Sequence, residues 1–150
     1  MRKNGLTLIE VLVAIILIGV AIASLVAANG LLTRANGFGL NLSTAEFLIE
    51  QIRELTVMMT FANLTGTFNS TVKDYSWPVG PIDSKGNVLK DSNGNPLYPG
   101  YSQKVTGLYL QSTDFTKPWT TGPMSFYRIT VEISLNNKTI SSACWIRANY

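Results

Sequence analysis

A long stretch without charge near the N-terminus constrains this chain most. No charged residue lies between Glu10 and Arg34, and positions 11–28 are apolar except for Gly19 and Ser24. At about 1.5 Å per helical residue, this run nearly crosses a hydrocarbon core of about 30 Å. Two basic residues precede the run, and the positive-inside bias keeps them cytoplasmic. The sequence therefore predicts one membrane helix, with most of the chain outside the cytoplasm.

Glu10 is the anomaly at the start of this run. An ionised carboxylate inside hydrocarbon is costly unless it is paired or drawn back to the interface. A secretory signal peptide cut after Ala23 or Ala28 would account for the apolar run, and so would a plain signal anchor. Neither interpretation explains why the run contains an acid.

The residues around Glu10 carry a resemblance. The segment "KNGLTLIEVLVAIILIG" resembles the N-terminus of type IV prepilins and of type II secretion pseudopilins, with a short basic leader ending in Gly5 and a glutamate five residues later. The resemblance implies that prepilin peptidase cuts between Gly5 and Leu6 and methylates the new amine. Two positions depart from the family pattern: Leu6 stands where phenylalanine is usual, and Ala27 stands where many major pilins have proline.

If the chain is processed as this resemblance implies, Glu10 is expected to act in assembly. Cleavage creates a positively charged amine at Leu6, and Glu10 of one chain would neutralise the amine of its neighbour in a helical bundle. Two opposite charges about 4 Å apart attract by about 4 kcal/mol at an effective dielectric constant of 20. We therefore expect Gly5, Leu6 and Glu10 to direct processing, and Leu6, Glu10, Ile15 and Gly19 to direct assembly. The alternative is that Glu10 only rests near the lipid headgroups.

The membrane helix is expected to continue as an amphipathic helix. An apolar stripe recurs at spacings of three and four residues, at Ala45, Leu48, Ile49, Ile52, Leu55 and Met59. Ser43 and Glu46 form a capping-box pattern that would start a second helix, unless both lie within one continuous helix. Glu46, Glu50 and Glu54 form an acidic row, partly compensated by Arg53, that either faces solvent or contacts a basic patch on a neighbouring subunit.

The second half of the chain has the composition of loops and strands from residue 63 onward. Strands are predicted at 104–112, at 125–135 and at 138–148, and Asn136-Asn137 is predicted to form a tight hairpin turn. Alternation places one apolar set on the core face of each hairpin strand: Tyr127, Ile129, Val131, Ile133 and Leu135 on the first, and Ile140, Cys144 and Ile146 on the second. Cys144 is expected to be a small buried side chain.

These patterns predict an α+β protein in which a long helix lies on an antiparallel sheet. The expected segments are a leader at 1–5, a membrane and filament-core helix at 6–33, an amphipathic continuation at 34–62 and a sheet region at 63–150. A local repeat, "DSKGNVL" from Asp83 and "DSNGNPL" from Asp91, is interpreted as two exposed turns. Some pseudopilins bind calcium in this region, but Pro96 stands where an EF-hand-like loop needs glycine. No cofactor or metal is expected.

The chemical inventory favours a structural protein. The chain has no histidine, which excludes histidine-activated nucleophiles and imidazole metal sites. The formal charge of +3 is not clustered, so no nucleic-acid surface is indicated. We expect a minor pilin or pseudopilin, because the cysteine pair of many major pilins is missing. Its expected partners are membrane lipid before assembly, prepilin peptidase, an inner-membrane assembly platform, and its own or related pilin subunits in a periplasmic or surface filament.

A membrane-anchored binding module that does not polymerise is the alternative. Such a module would use exposed aromatic side chains as its contact surface. The candidates for that surface are Trp77, Tyr98, Tyr101, Tyr109 and Trp119.

Overall fold

A computed structural model describes residues 7–68, 73–75, 80–120 and 124–149. Its elements, in chain order, are helices α1 (Leu8–Met58) and α2 (Phe61–Thr67) and strands β1 (Lys73–Tyr75), β2 (Tyr101–Leu110), β3 (Phe126–Leu135) and β4 (Lys138–Ala148). The chain divides into two compact units, Met1–Leu40 and Asn41–Tyr150.

The first unit contains the N-terminal part of α1. Every residue from Thr7 to Leu40 is exposed within its own chain. Two hydroxyl groups in this stretch bond to the helix itself: the Ser24 hydroxyl donates to the Val20 carbonyl oxygen at 2.7 Å, and the Thr33 hydroxyl donates to the Asn29 carbonyl oxygen at 3.0 Å. Such internal bonds let a helix carry hydroxyl groups where no water is present.

The helix does not stop at the glycines that follow. The α-helical backbone continues without a break through Gly30, Gly37 and Gly39, although each glycine weakens it, and α1 ends only at Met58. Ser43 and Glu46 therefore lie inside one continuous helix and do not begin a second one.

The second unit is built on an antiparallel sheet with strand order β1-β2-β3-β4. Strands β3 and β4 form the predicted hairpin, in which Asn136 and Asn137 have φ angles of 50° and 65°. Asparagine tolerates this left-handed region better than most residues. The hairpin and its turn are confirmed, while β2 begins at Tyr101, three residues before the predicted start.

The core lies between the C-terminal part of α1 and the sheet. The predicted stripe is confirmed, because Ala45, Leu48, Ile49, Ile52 and Leu55 are all buried and Met59 packs beside them. The stripe belongs to one cluster with Val105 and with the inward-facing residues of β3: Tyr127, Ile129, Val131 and Ile133. The fold is therefore α+β, with a long helix on a small antiparallel sheet, which is a pilin-like arrangement.

A buried glutamine fixes the helix on this sheet. The Gln103 amide nitrogen donates to the Leu48 carbonyl oxygen at 2.8 Å, and its side-chain oxygen accepts from the Ile82 amide at 2.9 Å. Gln103 is completely buried, and its bonds meet the cost of removing a polar amide from water. One side chain of β2 thus joins α1 to the loop before the turns at 83–95.

The short helix α2 was not expected from the composition after residue 62. The Thr60 hydroxyl oxygen caps α2 by accepting from the Asn63 amide at 3.3 Å. Leu64 and Phe68 are fully buried in the core. Burial of these two side chains outweighs the weak helix propensity of the threonines and glycine in "FANLTGT".

A register shift in β4 overturns part of the predicted apolar face. Ile133 pairs with Ser141 but Ser134 pairs with Thr139, so Ile140 is an extra residue in its strand. Such a bulge reverses the alternation of side chains beyond it. Ile140 still packs on the core, but Ala143 and Trp145 do so in place of the predicted Cys144 and Ile146. Cys144 is exposed, so its predicted burial is wrong.

Candidate assembly site

The first turn of α1 is closed by two side chains that bond to each other. One carboxylate oxygen of Glu10 accepts from the Thr7 amide at 2.7 Å and from the Thr7 hydroxyl at 2.9 Å. In return, the Thr7 hydroxyl oxygen accepts from the Glu10 amide at 3.4 Å. This reciprocal arrangement is a capping box, with threonine at the N-cap and glutamate three residues later.

The capping box turns the carboxylate of Glu10 toward the start of the chain. The Thr7 amide lies at the N-terminal end of α1, so the acid lies at the start of the described helix. Gly5 and Leu6, the predicted cleavage pair, lie outside the described residues. The pattern Thr7-Leu8-Ile9-Glu10 carries the same capping signal as Ser43 to Glu46, and it was the signal that sequence reasoning missed.

Ile15 and Gly19 lie on a different face of α1 from Glu10. Their spacing of four residues brings them to one side of the helix, whereas Glu10 lies five residues from Ile15 and points elsewhere. Ile15 lines one shallow apolar groove with Leu8, Val11, Leu12 and Ile16. Glu10 lines another with Ile9, Val13, Ala14 and Leu17. Of the predicted assembly residues that the structure describes, Ile15 and Gly19 therefore lie on one face of α1 and Glu10 lies on another.

The Gly19 position is open. A side chain added at Gly19 would meet no atom within 4 Å in its own chain. Ile15 is 65% exposed. Among the described residues, α1 is the one helix whose length and apolar composition suffice to cross a membrane, and its most apolar window has no contact that buries it in the chain. A surface of this kind requires lipid or other apolar helices around it.

The acidic row lies on the exposed side of the second half of α1. Glu46, Glu50 and Glu54 are all exposed. Glu50 pairs with Arg53 at 3.3 Å, and the guanidinium of Arg53 lies 5.4 Å from the ring centre of Trp145. Exposure of the row and its partial compensation by Arg53 are as predicted, and the same guanidinium also makes a cation–π contact with Trp145.

The repeat at Asp83 and Asp91 forms two turns of the same geometry. In the first, an Asp83 carboxylate oxygen accepts from the amides of Lys85 and Asn87, each at 2.8 Å, and Gly86 has φ +82°. In the second, Asp91 accepts from the amides of Asn93 and Asn95, each at 2.9 Å, and Gly94 has φ +84°. The interpretation as two successive turns is confirmed.

The same bonds shift the titration of both acids. The Asn87 amide, followed by that of Lys85, lowers the pKa of Asp83, and the Asn95 amide is the largest cause of the lowered pKa of Asp91. Within the described parts of the chain, no three acidic or cysteine side chains come together as a metal site. Each carboxylate instead stabilises its own loop.

Three of the aromatic residues proposed for a binding surface, all of them tyrosines, pack within the second unit. Tyr98 lies 6.1 Å from Tyr101, and the Tyr101 hydroxyl donates to the Asn41 side-chain oxygen at 3.1 Å. Tyr109 stacks edge-on against Tyr127 at 4.8 Å. Trp77 lies outside the described residues. These contacts give the three tyrosines a structural use in the second unit.

Comparison with known proteins gives a family match over the first 26 residues. Residues 1–26 match the family model of the prokaryotic N-terminal methylation motif. This motif is the class III leader of type IV pilins and pseudopilins, and the chain therefore carries a prepilin-type leader ahead of a pilin-like α+β fold. No curated protein and no solved structure gives a significant match.

The leader defines the class of protein in coarse terms. A leader of this kind implies processing by prepilin peptidase and filament assembly with pilin subunits. It is consistent with a membrane-anchored subunit before assembly, and it points to a structural protein.

Proposed function

We propose that this chain is a minor pilin or pseudopilin, a structural subunit of a type IV pilus-like filament. The observation that carries the proposal is the methylation motif at residues 1–26, which leads directly into a helix whose apolar residues from Leu8 to Leu40 are all exposed in their own chain. Before assembly the helix lies in the inner membrane with its N-terminus cytoplasmic, and an assembly platform extracts it into the filament. Assembly with other subunits then replaces lipid around the helix.

Processing precedes assembly in this proposal. Prepilin peptidase cuts between Gly5 and Leu6, removes the leader at 1–5 and methylates the amine of Leu6. The remaining segments are the filament-core helix at 6–33, its amphipathic continuation at 34–62 and the sheet region at 63–150. Glu10 then sets the axial register, because its carboxylate neutralises the amine of a neighbouring chain. The capping box supports this role, since it holds the carboxylate at the end of the helix where that amine arises.

The first test is the mass of the purified mature chain. We expect a chain that starts at a methylated Leu6, whereas Gly5→Val should leave the leader attached, because the peptidase must accommodate the residue before the cut. Gly19→Ala is the matched control, since it changes a glycine in open space and should be cut normally. A mature chain that starts at Ser24 or Asn29 would identify an ordinary signal peptide and overturn the proposal.

The second test concerns Glu10. Glu10→Gln keeps the shape of the side chain but removes its charge, so membrane insertion and cleavage should persist while filament incorporation falls about tenfold or more. Glu50→Gln is the control, because it removes an acid that is already paired with Arg53. Normal incorporation of Glu10→Gln would assign Glu10 to the headgroup region. A processed wild-type chain that never enters filaments would favour the non-polymerising module.

A further inference from the structure

The exposed side of α1 in the second unit carries three acids, of which Arg53 compensates one. Glu46 and Glu54 make no hydrogen bond or ion pair among the residues that the structure describes, unlike Glu50. Beyond Glu54, Val57 and Met58 are 61% and 75% exposed. We call Glu54, Val57 and Met58 the acidic end of α1. It combines one free carboxylate with exposed apolar side chains at helical spacing.

The outer face of the sheet carries a basic side chain beside exposed apolar ones, which complements the acidic end of α1. Arg128 of β3 lies between Leu108 of β2 and Ile146 of β4 in the strand register, and its half-buried side chain has no hydrogen bond or ion pair within the described ranges. In the next row, Phe126 packs edge-on against Phe115 at 4.8 Å. Phe115, Phe126 and Ile146 border an open pocket of about 510 Å³. We call these three residues and Arg128 the outer patch.

The acidic end of α1 cannot reach the outer patch of the same chain. The helix packs on the inward-facing residues of the sheet, where Gln103 bonds to Leu48 and Trp145 donates to the Thr56 hydroxyl oxygen at 3.3 Å. Side chains that alternate along a strand point to opposite faces, so the sheet itself separates α1 from Arg128. Contact between the two surfaces therefore requires two molecules.

We propose that the outer patch receives the acidic end of α1 from a second copy of this chain. Glu54 of one copy pairs with Arg128 of the other, and Val57 and Met58 cover Phe115, Phe126 and Ile146. The pairing gives each unpartnered charge an opposite charge and removes apolar surface from water on both sides. The heterologous contact repeats from copy to copy, as a filament requires. This inference rests on the proposed function and assigns it a second contact outside the N-terminal helix.

Cys144 gives a direct test in the full-length chain. It is exposed on the outer face of the sheet, opposite Thr130 in the register and in the row next to Arg128 and Ile146. A cysteine introduced by Val57→Cys should therefore form an intermolecular disulfide with Cys144 under mild oxidation of membranes or filaments. The product should be lost when Cys144→Ser is added. Ser43→Cys is the matched control, because this exposed position lies about 21 Å along the same helix and should not crosslink.

Charge exchange tests the proposed ion pair. Glu54→Arg and Arg128→Glu should each reduce the Val57→Cys crosslink about tenfold, because like charges then face each other. The double exchange Glu54→Arg/Arg128→Glu should restore it. Glu46→Arg, two helical turns away, should reduce it less. Failure of the double exchange to restore the crosslink would overturn the pairing.

A crosslink within the N-terminal helices separates this inference from the proposed function. Ile15→Cys in a Cys144→Ser background should link neighbouring chains wherever filaments form. If Ile15→Cys links chains and Val57→Cys does not, the docking surface is wrong and filament assembly stands. If neither links chains and no filament forms, both proposals fail. A Val57→Cys adduct with a different protein would overturn the second copy as the occupant.

Discussion

Thr7 and Glu10 close the first turn of α1 on each other, with the Thr7 amide and hydroxyl both donating to one carboxylate oxygen, at 2.7 and 2.9 Å. The acid therefore has partners in its own chain before any neighbouring amine is available. This arrangement reduces the cost of holding a carboxylate near hydrocarbon, because part of its hydrogen-bonding capacity is satisfied. In the proposed filament, the amine of another subunit replaces these partners.

Substitution of Thr7 tests how much the capping box stabilises the first turn of α1. Thr7→Val keeps the shape and the backbone amide but removes the hydroxyl, which bonds to both the carboxylate and the Glu10 amide. Loss of an N-cap costs about 1 kcal/mol, so hydrogen exchange at the Glu10 amide should become about fivefold faster in the detergent-solubilised chain. Mass-resolved or NMR-detected exchange measures this. Thr7→Ser should restore the wild-type rate, and an unchanged rate in Thr7→Val would contradict the capping role.

Gly107 is the position in the sheet where a side chain has no room. The Tyr127 hydroxyl crosses over it and donates to the Phe68 carbonyl oxygen at 2.6 Å, in the buried interior. A Cβ atom at Gly107 would overlap both the hydroxyl and that carbonyl. Gly107→Ala should therefore lower the free energy of unfolding by about 1–3 kcal/mol, as overpacked cores do.

The matched control for Gly107 is the exposed glycine of α2. Gly66→Ala meets no atom within 4 Å, and alanine favours helix over glycine by up to about 1 kcal/mol. It should leave stability unchanged or raise it. Urea unfolding followed by circular dichroism measures both variants, and equal stability of Gly107→Ala and wild type would show that β2 moves to make room.

A fragment that begins at residue 34 should fold without the membrane run. Every buried apolar residue of the described chain lies at or after Ala45, so removal of residues 1–33 takes away none of the core. The fragment should be soluble, monomeric at low concentration and cooperative in thermal unfolding. Sedimentation and calorimetry test this. Aggregation without a cooperative transition would mean that the N-terminal residues contribute to folding of the second unit.

The periodicity of apolar residues predicted the elements in which those residues recur at regular spacing. The stripe from Ala45 to Leu55 is buried as the three-and-four spacing required, and β4 has the bounds expected from its alternation. The hairpin turn also followed from residue type, since Asn136 and Asn137 adopt positive φ. These features are local, and local sequence specifies them.

The features that could not be predicted depend on distant contacts. The bulge at Ile140 could not be predicted from alternation. The sequence of β4 shows no extra residue until its pairing with β3 sets the register. Helix α2 forms because Leu64 and Phe68 are buried under the sheet, against weak propensity. At the candidate site, the capping signal from Thr7 to Glu10 is local, so the sequence alone contains it.

The two aspartate turns predict a particular dependence of stability on pH. Backbone amides, chiefly those of Asn87 and Asn95, stabilise the ionised carboxylates and hold the pKa values of Asp83 and Asp91 below their ordinary values. The unfolded chain lacks these bonds and titrates near about 3.9. A group with a lowered folded pKa stabilises the fold above the unfolded pKa, and this contribution is lost as pH falls through the folded pKa.

The double variant Asp83→Asn/Asp91→Asn isolates this contribution. Asparagine keeps an oxygen that accepts from the same amides but does not titrate in this range. The wild type should exceed the variant in free energy of unfolding by a constant amount between about pH 5 and 7, and the difference should shrink as pH falls below about 4. Urea unfolding of the 34–150 fragment across this range measures the difference.

Ser92→Ala is the control, because it alters the second turn without removing a titrating group, and its difference from wild type should not vary with pH. Each single aspartate variant should remove part of the effect, since the two turns have the same geometry. A double variant whose stability falls with acid as steeply as that of the wild type would show that other carboxylates govern the acid unfolding of this unit.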